Sequence, residues 1–388
     1  LSENRYGMLR RLCAELIMTS GDVKYWIGFN LVSGIGPVRV RSLVQTFGSI
    51  EAAWNAPVEE LRRVGLGEKL VQRLIEARSA LDLTKELGRV QQLGLQVLPM
   101  DDPQYPARLK EIESPPLVLY LSGQLVPQDE WAAAIVGTRR ATPYGKAVAA
   151  ELAGGLAASG VTVVSGLARG IDGIAHQAAL EAGGRTLAVL GSGLDHIYPP
   201  EHRNLAHSIA SSGAVLSDYP LGTSPEGGNF PARNRIIAGL SLAVIVVEAG
   251  ESSGALITAD FAAEQGRDVF AVPGRIYDRA SLGTNRLIAA GAFPVTNVDD
   301  VLEVLNLESI TAAAPREPSL PKDATERRVL EALSGDPVHI DELRERCELP
   351  IAELTACLSM LELRGQARQV GGMHYVRAHE PRAAYRVG

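Results

Sequence analysis

Along the middle of the chain, short and uninterrupted apolar runs alternate with amphipathic stretches. The runs fall at 133–136, 161–164, 187–190, 214–216, 243–247 and 269–272. Each is apolar at successive positions, the pattern of a strand buried on both faces. The stretches between them place apolar residues at helical spacing. Together they predict an α/β fold, a doubly wound, Rossmann-like parallel sheet. Segment 97–121 contains Asp102-Pro103-Gln104-Tyr105-Pro106, and predicts extended pieces added to the N-terminal side of that sheet.

The flanks follow other periods. From Asp22 to about Ala80, apolar residues at Leu43, Val44, Phe47 and Ile50, then Leu70, Val71, Leu74 and Ile75, mark short helices. The turns Ser33-Gly34-Ile35-Gly36-Pro37 and Val64-Gly65-Leu66-Gly67 each precede a helix with basic residues. A Gly-apolar-Gly turn of this kind resembles the helix-hairpin-helix module, whose amides can face a phosphate. A small helical packing domain fits the same pattern equally well.

Residues 309–322, with Pro315, Pro318 and Pro321, read as a linker. Helices are expected at 325–333, 340–347 and 351–363. A hairpin comes next, 367–370 and 373–377 around Gly371-Gly372. Three helices and a hairpin make a winged helix. The expected division is therefore a tail (1–21), a small helical domain (22–82), a Rossmann-like domain (83–308), the linker, a winged helix (323–379) and a tail (380–388).

Composition narrows the function. The formal net charge is −7, which argues against a surface coated in basic residues but leaves room for a local basic groove. Aromatics make up 5% of the chain, so any base-stacking surface must use few rings. Cys13, Cys347 and Cys357 have neither metal-ligand spacing nor the even count of a disulfide framework, and suggest reduced thiols in the cytoplasm. No apolar run approaches membrane-spanning length, and Arg10, Arg11 and Glu15 interrupt 8–17, which is wrong for a signal peptide.

In a doubly wound sheet, ligands bind beyond the carboxyl ends of the strands. The first run leads into Gly137-Thr138-Arg139-Arg140, then Thr142 and Pro143 as N-cap and first helical residue. The second leads into Ser165-Gly166-Leu167-Ala168-Arg169-Gly170-Ile171-Asp172, a small-residue loop suited to a phosphate. The third is followed by Gly191-Ser192-Gly193 and Tyr198-Pro199-Pro200-Glu201-His202-Arg203. The fourth precedes Phe230-Pro231-Ala232-Arg233-Asn234-Arg235, and the fifth Glu248-Ala249-Gly250-Glu251-Ser252-Ser253-Gly254. No Gly-x-Gly-x-x-Gly fingerprint and no Walker loop occurs, which excludes the usual nicotinamide and ATP sites. No cofactor or metal is expected. Arginines, hydroxyls, amides and Phe230 converge instead, the profile of a site that grips phosphates and stacks one base. Each arginine has a structural alternative, an ion pair with Asp172, Asp218 or Glu248. For Arg235 the two readings are evenly matched.

Four motifs, Ile135-Val136-Gly137-Thr138-Arg139, 164–172, Phe230-Pro231-Ala232-Arg233-Asn234-Arg235 and Ser253-Gly254-Ala255, occur in an order and spacing that resemble the DprA/Smf family of bacterial DNA-processing proteins. The resemblance spans nearly the whole chain after residue 20, including an N-terminal SAM-like module and a C-terminal winged helix. It implies a non-enzymatic mediator that binds and protects single-stranded DNA in natural transformation and DNA repair. It also implies dimerisation through the Rossmann-like domain and loading of RecA recombinase. The candidate DNA contacts are Gly137, Thr138, Arg139, Ser165, Gly166, Arg169, Gly170, Arg203, Phe230, Arg233, Asn234, Arg235, Ser253 and Gly254. Two positions depart from the family: Pro200 and Gly227, beside Glu226, stand where relatives often have a basic residue. Arg203 is the candidate substitute.

A second class is a nucleoside-monophosphate phosphoribohydrolase of the Lonely-Guy type, with a similar sheet. Those enzymes place a catalytic glutamate soon after the Gly-rich turn, whereas here Asp260 is the only carboxylate at 253–263 and Glu264 comes late. Asp172 and Glu248 are expected to orient arginines. The third winged-helix helix, 351–363, carries Glu353 and Glu362 but no Lys or Arg, which favours a protein contact over duplex reading. Arg364, at its end, is expected to take no part in DNA binding.

Overall fold

The computed structural model describes residues 20–307, 324–334, 337–347, 349–363 and 367–377. The expected linker, most of the N-terminal tail, the C-terminal tail and Arg364 lie outside them. The chain divides into two compact units, one up to residue 313 and one from 314 onward.

Among the described residues the first unit opens with six helices: α1 (Ser20–Leu31), α2 (Pro37–Phe47), α3 (Ile50–Asn55), α4 (Val58–Arg63), α5 (Glu68–Ala80) and α6 (Leu83–Gln92). Their starts follow local chemistry. Pro37 opens α2, the Ser49 hydroxyl accepts from Ala52 N at the head of α3, and Asp82 accepts from Thr84 N and Lys85 N at α6. These helices are packed onto the sheet of the same unit. Phe29, Leu43, Trp54, Leu61 and Leu74 belong to the same apolar cluster as Tyr120, Val164 and Leu187 of its strands.

Two strands, β1 (Gln96–Pro99) and β2 (Val118–Gly123), enclose the short helix α7 (Ala107–Lys110). The parallel core then runs β3 (Ala132–Val136), α8 (Pro143–Ala158), β4 (Thr162–Ser165), α9 (Ile171–Glu181), β5 (Thr186–Val189), α10 (Arg203–Ser212) and β6 (Ala214–Ser217). It continues with α11 (Asn229–Leu240), β7 (Ala243–Val246), α12 (Gly254–Glu264), β8 (Asp268–Ala271), α13 (Leu282–Ala289), β9 (Phe293–Pro294) and α14 (Val298–Val304). The sheet order is β1-β2-β6-β5-β4-β3-β7-β8-β9. Strands β6 to β9 are parallel, while β2 lies antiparallel to β6 and β1 antiparallel to β2. All six apolar runs are strands, and segment 97–121 supplies the expected extension as an antiparallel edge.

Alternation along β3 explains why its run is continuously apolar. Ala132, Ala134 and Val136 face one core cluster, and Ala133 and Ile135 face the other. Both faces are covered, so no position tolerates a charge. Strand order reverses between β3 and β7, the place where such sheets open a crevice at their carboxyl edge.

The second unit contains α15 (Ala324–Ala332), β10 (Val338–His339), α16 (Ile340–Cys347), α17 (Ile351–Leu363), β11 (Ala367–Gly371) and β12 (His374–Arg377). Val329, Leu343, Leu354, Leu358 and Tyr375 share its core. The hairpin gains a third strand, β10, paired with β12. This is a winged helix.

Candidate nucleic-acid interface at the carboxyl edge of the sheet

A cavity of about 320 Å³ opens at the reversal point, lined by residues that include Val136, Gly137, Arg139, Phe230, Arg233, Asn234, Ser253 and Gly254. The edge loops around it are joined by close backbone approach. Thr138 N donates to Glu248 O (2.8 Å), and Ile171 N donates to Thr138 O (3.3 Å), tying three edge loops together. Gly170 has φ +78°, and a Cβ there would lie 2.3 Å from Thr138 O. Only glycine fits that position.

Helix α11 supplies the cavity wall. Phe230, Arg233, Asn234 and Ile237 line it at spacing i, i+3, i+4 and i+7, which is one helix face. Asn234 is fixed by donating from Nδ2 to Gly254 O (3.2 Å). Gly254 opens α12, whose N-cap Ser253 accepts from Ala255 N. The start of α12, with its partial positive charge, therefore borders the cavity.

At the mouth, two rings and two guanidinium groups form a series. The Phe230 and Tyr198 rings are 5.5 Å apart at 45°. Arg139 Cζ lies 5.5 Å from the Phe230 centroid, and Arg169 Cζ 5.9 Å from that of Tyr198. Arg139 is exposed and makes no ion pair among the described residues. Arg169 Nε donates to Glu201 Oε1 (2.5 Å). That bond holds the Glu201 carboxyl below its usual range and raises the already basic guanidinium.

Beneath the mouth lies buried charge. Arg233 is 4% exposed and donates through Nη1 to Gly166 O (2.9 Å) and to Val189 O. Burial pushes its guanidinium down to about 10, while the nearby Asp172 opposes that shift. Asp172 accepts from Gly166 N (3.1 Å), and burial raises its carboxyl against the opposing pull of Arg233. A Cβ at Gly166 would sit 2.6 Å from Arg233 Nη2, so this loop has room for no larger residue.

The structure thus separates the sequence candidates. Gly137, Arg139, Phe230, Arg233, Asn234, Ser253 and Gly254 gather around the cavity, with Gly166 and Arg169 at the adjoining recess beside Tyr198. Thr138 and Gly170 line neither, and their backbones tie the edge loops together. Three candidate contacts lie away from the cavity, and one expectation is corrected. The Ser165 hydroxyl is buried and donates to Ile135 O (2.6 Å), so it faces the sheet rather than solvent. Arg235 points to another hollow, pairing with Asp218 (2.7 Å) and donating to Ser114 O (3.0 Å). Arg203 is exposed at the start of α10 and lines neither the cavity nor the recess. Among the described residues Glu248 orients no arginine. Its carboxylate is buried and accepts from Thr142 N (3.0 Å) and Thr142 Oγ1 (2.5 Å), which pins the start of α8.

Tyr198 was not a sequence candidate. The signal for it was its place in the loop after β5, on the edge that already carried Phe230.

The family model described as DNA recombination-mediator protein A matches residues 96–306. Models for the DprA winged helix domain and the SAM-like helix-hairpin-helix tandem match 312–373 and 31–79. Protein Smf of Synechocystis sp. is 40% identical over 93% of this chain and 100% of its own length. DNA processing protein DprA of Bacillus subtilis is 42% identical over 60% of this chain and 79% of its own. Among solved structures, DNA processing protein A of Streptococcus pneumoniae superposes with a TM-score of 0.64 at 36% identity, covering 72% of this chain and 97% of that one. The Helicobacter pylori DNA processing protein A, solved to explain its single-stranded DNA binding mode, gives 0.50 at 34% identity, covering 55% and 95%.

Proposed function

Because the chain belongs to the DNA recombination-mediator protein A family, we propose that it is a non-enzymatic mediator that holds single-stranded DNA and loads RecA recombinase onto it during transformation and repair. The observation that carries this reading is the row Arg139–Phe230–Tyr198–Arg169 at the mouth of the cavity. Two adjacent rings flanked by guanidinium groups grip phosphate and stack bases without reading base edges. The Gly254 end of α12 and the backbone at Gly137 complete the phosphate cradle. Arg233 and Asn234 act from behind, the first as a buried positive charge, the second by fixing the start of α12. Arg203 and Arg235 are outside this contact set. The similarity to the H. pylori protein supports the choice of single-stranded DNA as ligand. Among the described residues no helix is long and apolar enough to cross a membrane.

Hydrolysis of a nucleotide needs a positioned acid or base beside the scissile bond. Asp172 lines the cavity, but its carboxylate accepts from Gly166 N beside the buried Arg233 guanidinium, and Glu248 is occupied by Thr142, so both carboxylates are already engaged. A homodimer formed through this domain would present two grips to one strand and raise effective concentration. The reading is tested by RecA filament formation on single strands coated with single-strand-binding protein. The protein should accelerate assembly, and should release neither base nor phosphate from adenosine monophosphate or triphosphate. Turnover lost in Glu248→Gln would overturn the non-enzymatic assignment. Unchanged RecA assembly would remove the mediator role.

A further inference from the structure

The carboxyl edge of the sheet does not end at the cavity. One strand beyond β7, the chain leaving β8 makes a tight turn, Gly274-Arg275-Ile276-Tyr277-Asp278-Arg279-Ala280-Ser281, before α13. Tyr277 at its tip is 92% exposed, and Ile276 is 69% exposed. Arg275 and Arg279 are exposed and form no ion pair among the described residues. The turn is held firmly at both ends. Gly274 and Asn285 exchange two hydrogen bonds (3.1 and 3.0 Å), and Ala249 N donates to Ala280 O (2.8 Å). Asp278 N donates to Arg275 O and Ser281 N to Asp278 O (both 3.0 Å), while the Asp278 carboxylate accepts from Ala280 N. The turn presents an apolar ring between two cations on a frame fixed by hydrogen bonds.

Its neighbours connect the turn to the cavity. The β7–α12 loop touches the turn through Ala249 and Gly250, and ends at the Ser253 and Gly254 that line the cavity. Strands in a sheet are about 4.8 Å apart, so β8 exits roughly 10 Å from β3 along the same edge. Exposed Arg140 and Tyr144, at the start of α8, belong to the same edge; Tyr144 Oη donates to Pro273 O (3.2 Å) at the base of the turn.

We propose that the Arg275-Ile276-Tyr277-Asp278-Arg279 turn is a second single-strand contact. Tyr277 stacks a base, and Arg275 and Arg279 hold phosphates, of a strand that leaves the Phe230 cavity across the ends of β7 and β8. This rests on the proposed function, since the first contact anchors the strand. The chemistry is that of a sequence-tolerant stacking platform with flanking positive charge.

The test uses oligo-dT of graded length with the full chain. Short oligomers, held at the cavity alone, should bind Tyr277→Ala as they bind the unaltered protein. Oligomers long enough to reach the turn should bind Tyr277→Ala about fivefold or more weakly, and Tyr277→Phe normally. Arg275→Ala with Arg279→Ala should reduce the salt slope for long oligomers by about 0.7 per arginine. All three are surface changes, and an unchanged thermal transition confirms folding. If long oligomers bound Tyr277→Ala and the double arginine variant as tightly as the unaltered protein, the second contact would be overturned while the first stood. If Tyr277→Ala instead changed the mass measured by light scattering, the turn would be a contact between copies. Failure of the unaltered protein to bind oligo-dT at any length would overturn the proposed function itself.

Discussion

The Arg139 guanidinium carbon lies 5.5 Å from the centroid of the Phe230 ring, at the mouth of a cavity opened by the reversal of strand order between β3 and β7. Arg139 arrives from the loop after β3 and Phe230 from the first turn of α11, so the contact exists only in the folded sheet. It sets a cation over the face of an aromatic ring at the carboxyl edge of the sheet.

Arg139→Ala should weaken oligo-dT binding several-fold and make the log–log salt slope shallower by about 0.7. Its side chain is exposed and has no ion pair among the described residues, so the thermal transition should stay in place. Fluorescence anisotropy at several salt concentrations checks both slope and affinity.

Phe230→Ala and Tyr198→Ala should each cost about 1–3 kcal/mol of oligo-dT binding, the usual worth of one stacked base. Unlike the arginine change, they should leave the salt slope unaltered. A slope that changed with the rings would mean that the rings act by placing the arginines rather than by stacking.

Arg233 and Arg235 should behave in opposite ways although they are two residues apart. Arg233→Ala leaves the buried Gly166 and Val189 carbonyls without its donor, and should cost about 1–3 kcal/mol of stability in urea unfolding. Arg235→Ala loses a partly buried pair with Asp218, and should cost about 1 kcal/mol with the oligo-dT salt slope unchanged.

That contrast also marks what the sequence could and could not show. The six core strands were legible because burial on both faces leaves runs such as Ala132–Val136 with no polar position. Strands β9 and β10, two residues each, carry too little pattern to be read. The edge loops were legible as positions, since each comes directly after a run, but the direction of each side chain was not. Arg233 and Arg235 differ by about 200° around a helix, so both could never face one cavity. Applying that period to Phe230, Arg233, Asn234 and Ile237 would have set Arg235 aside. Nothing local revealed that Ser165 turns toward Ile135, or that Glu248 serves Thr142, 106 residues earlier. Such pairings are made by strand order, which the apolar pattern alone does not specify.

His176 gives a pH dependence. It is buried, with Nδ1 against Thr186 Oγ1 (2.6 Å), and Thr186 Oγ1 itself donates to Val163 O (2.7 Å). Burial, aided by His202 and Arg233, lowers its imidazole to about 3. The unfolded chain takes up this proton near 6.5, before the folded chain does, so His176 favours folding fully above that pH and progressively less between about 6.5 and 3. Asp172, raised by burial, acts in the opposite sense on the acid side. Urea unfolding at stepped pH should therefore show His176→Gln losing less stability than the unaltered protein as pH falls from about 6.5. Parallel pH profiles would contradict the burial of a neutral ring.

The most direct measurement is a paired titration of oligo-dT and a duplex of equal length, repeated across salt concentrations. A grip on phosphate with stacked rings predicts strong preference for the single strand. It also predicts little dependence on base sequence and a salt slope of about −0.7 per phosphate neutralised. Equal affinity for the duplex, or a slope unaffected by Arg139→Ala, would contradict the placement of the DNA site at this cavity.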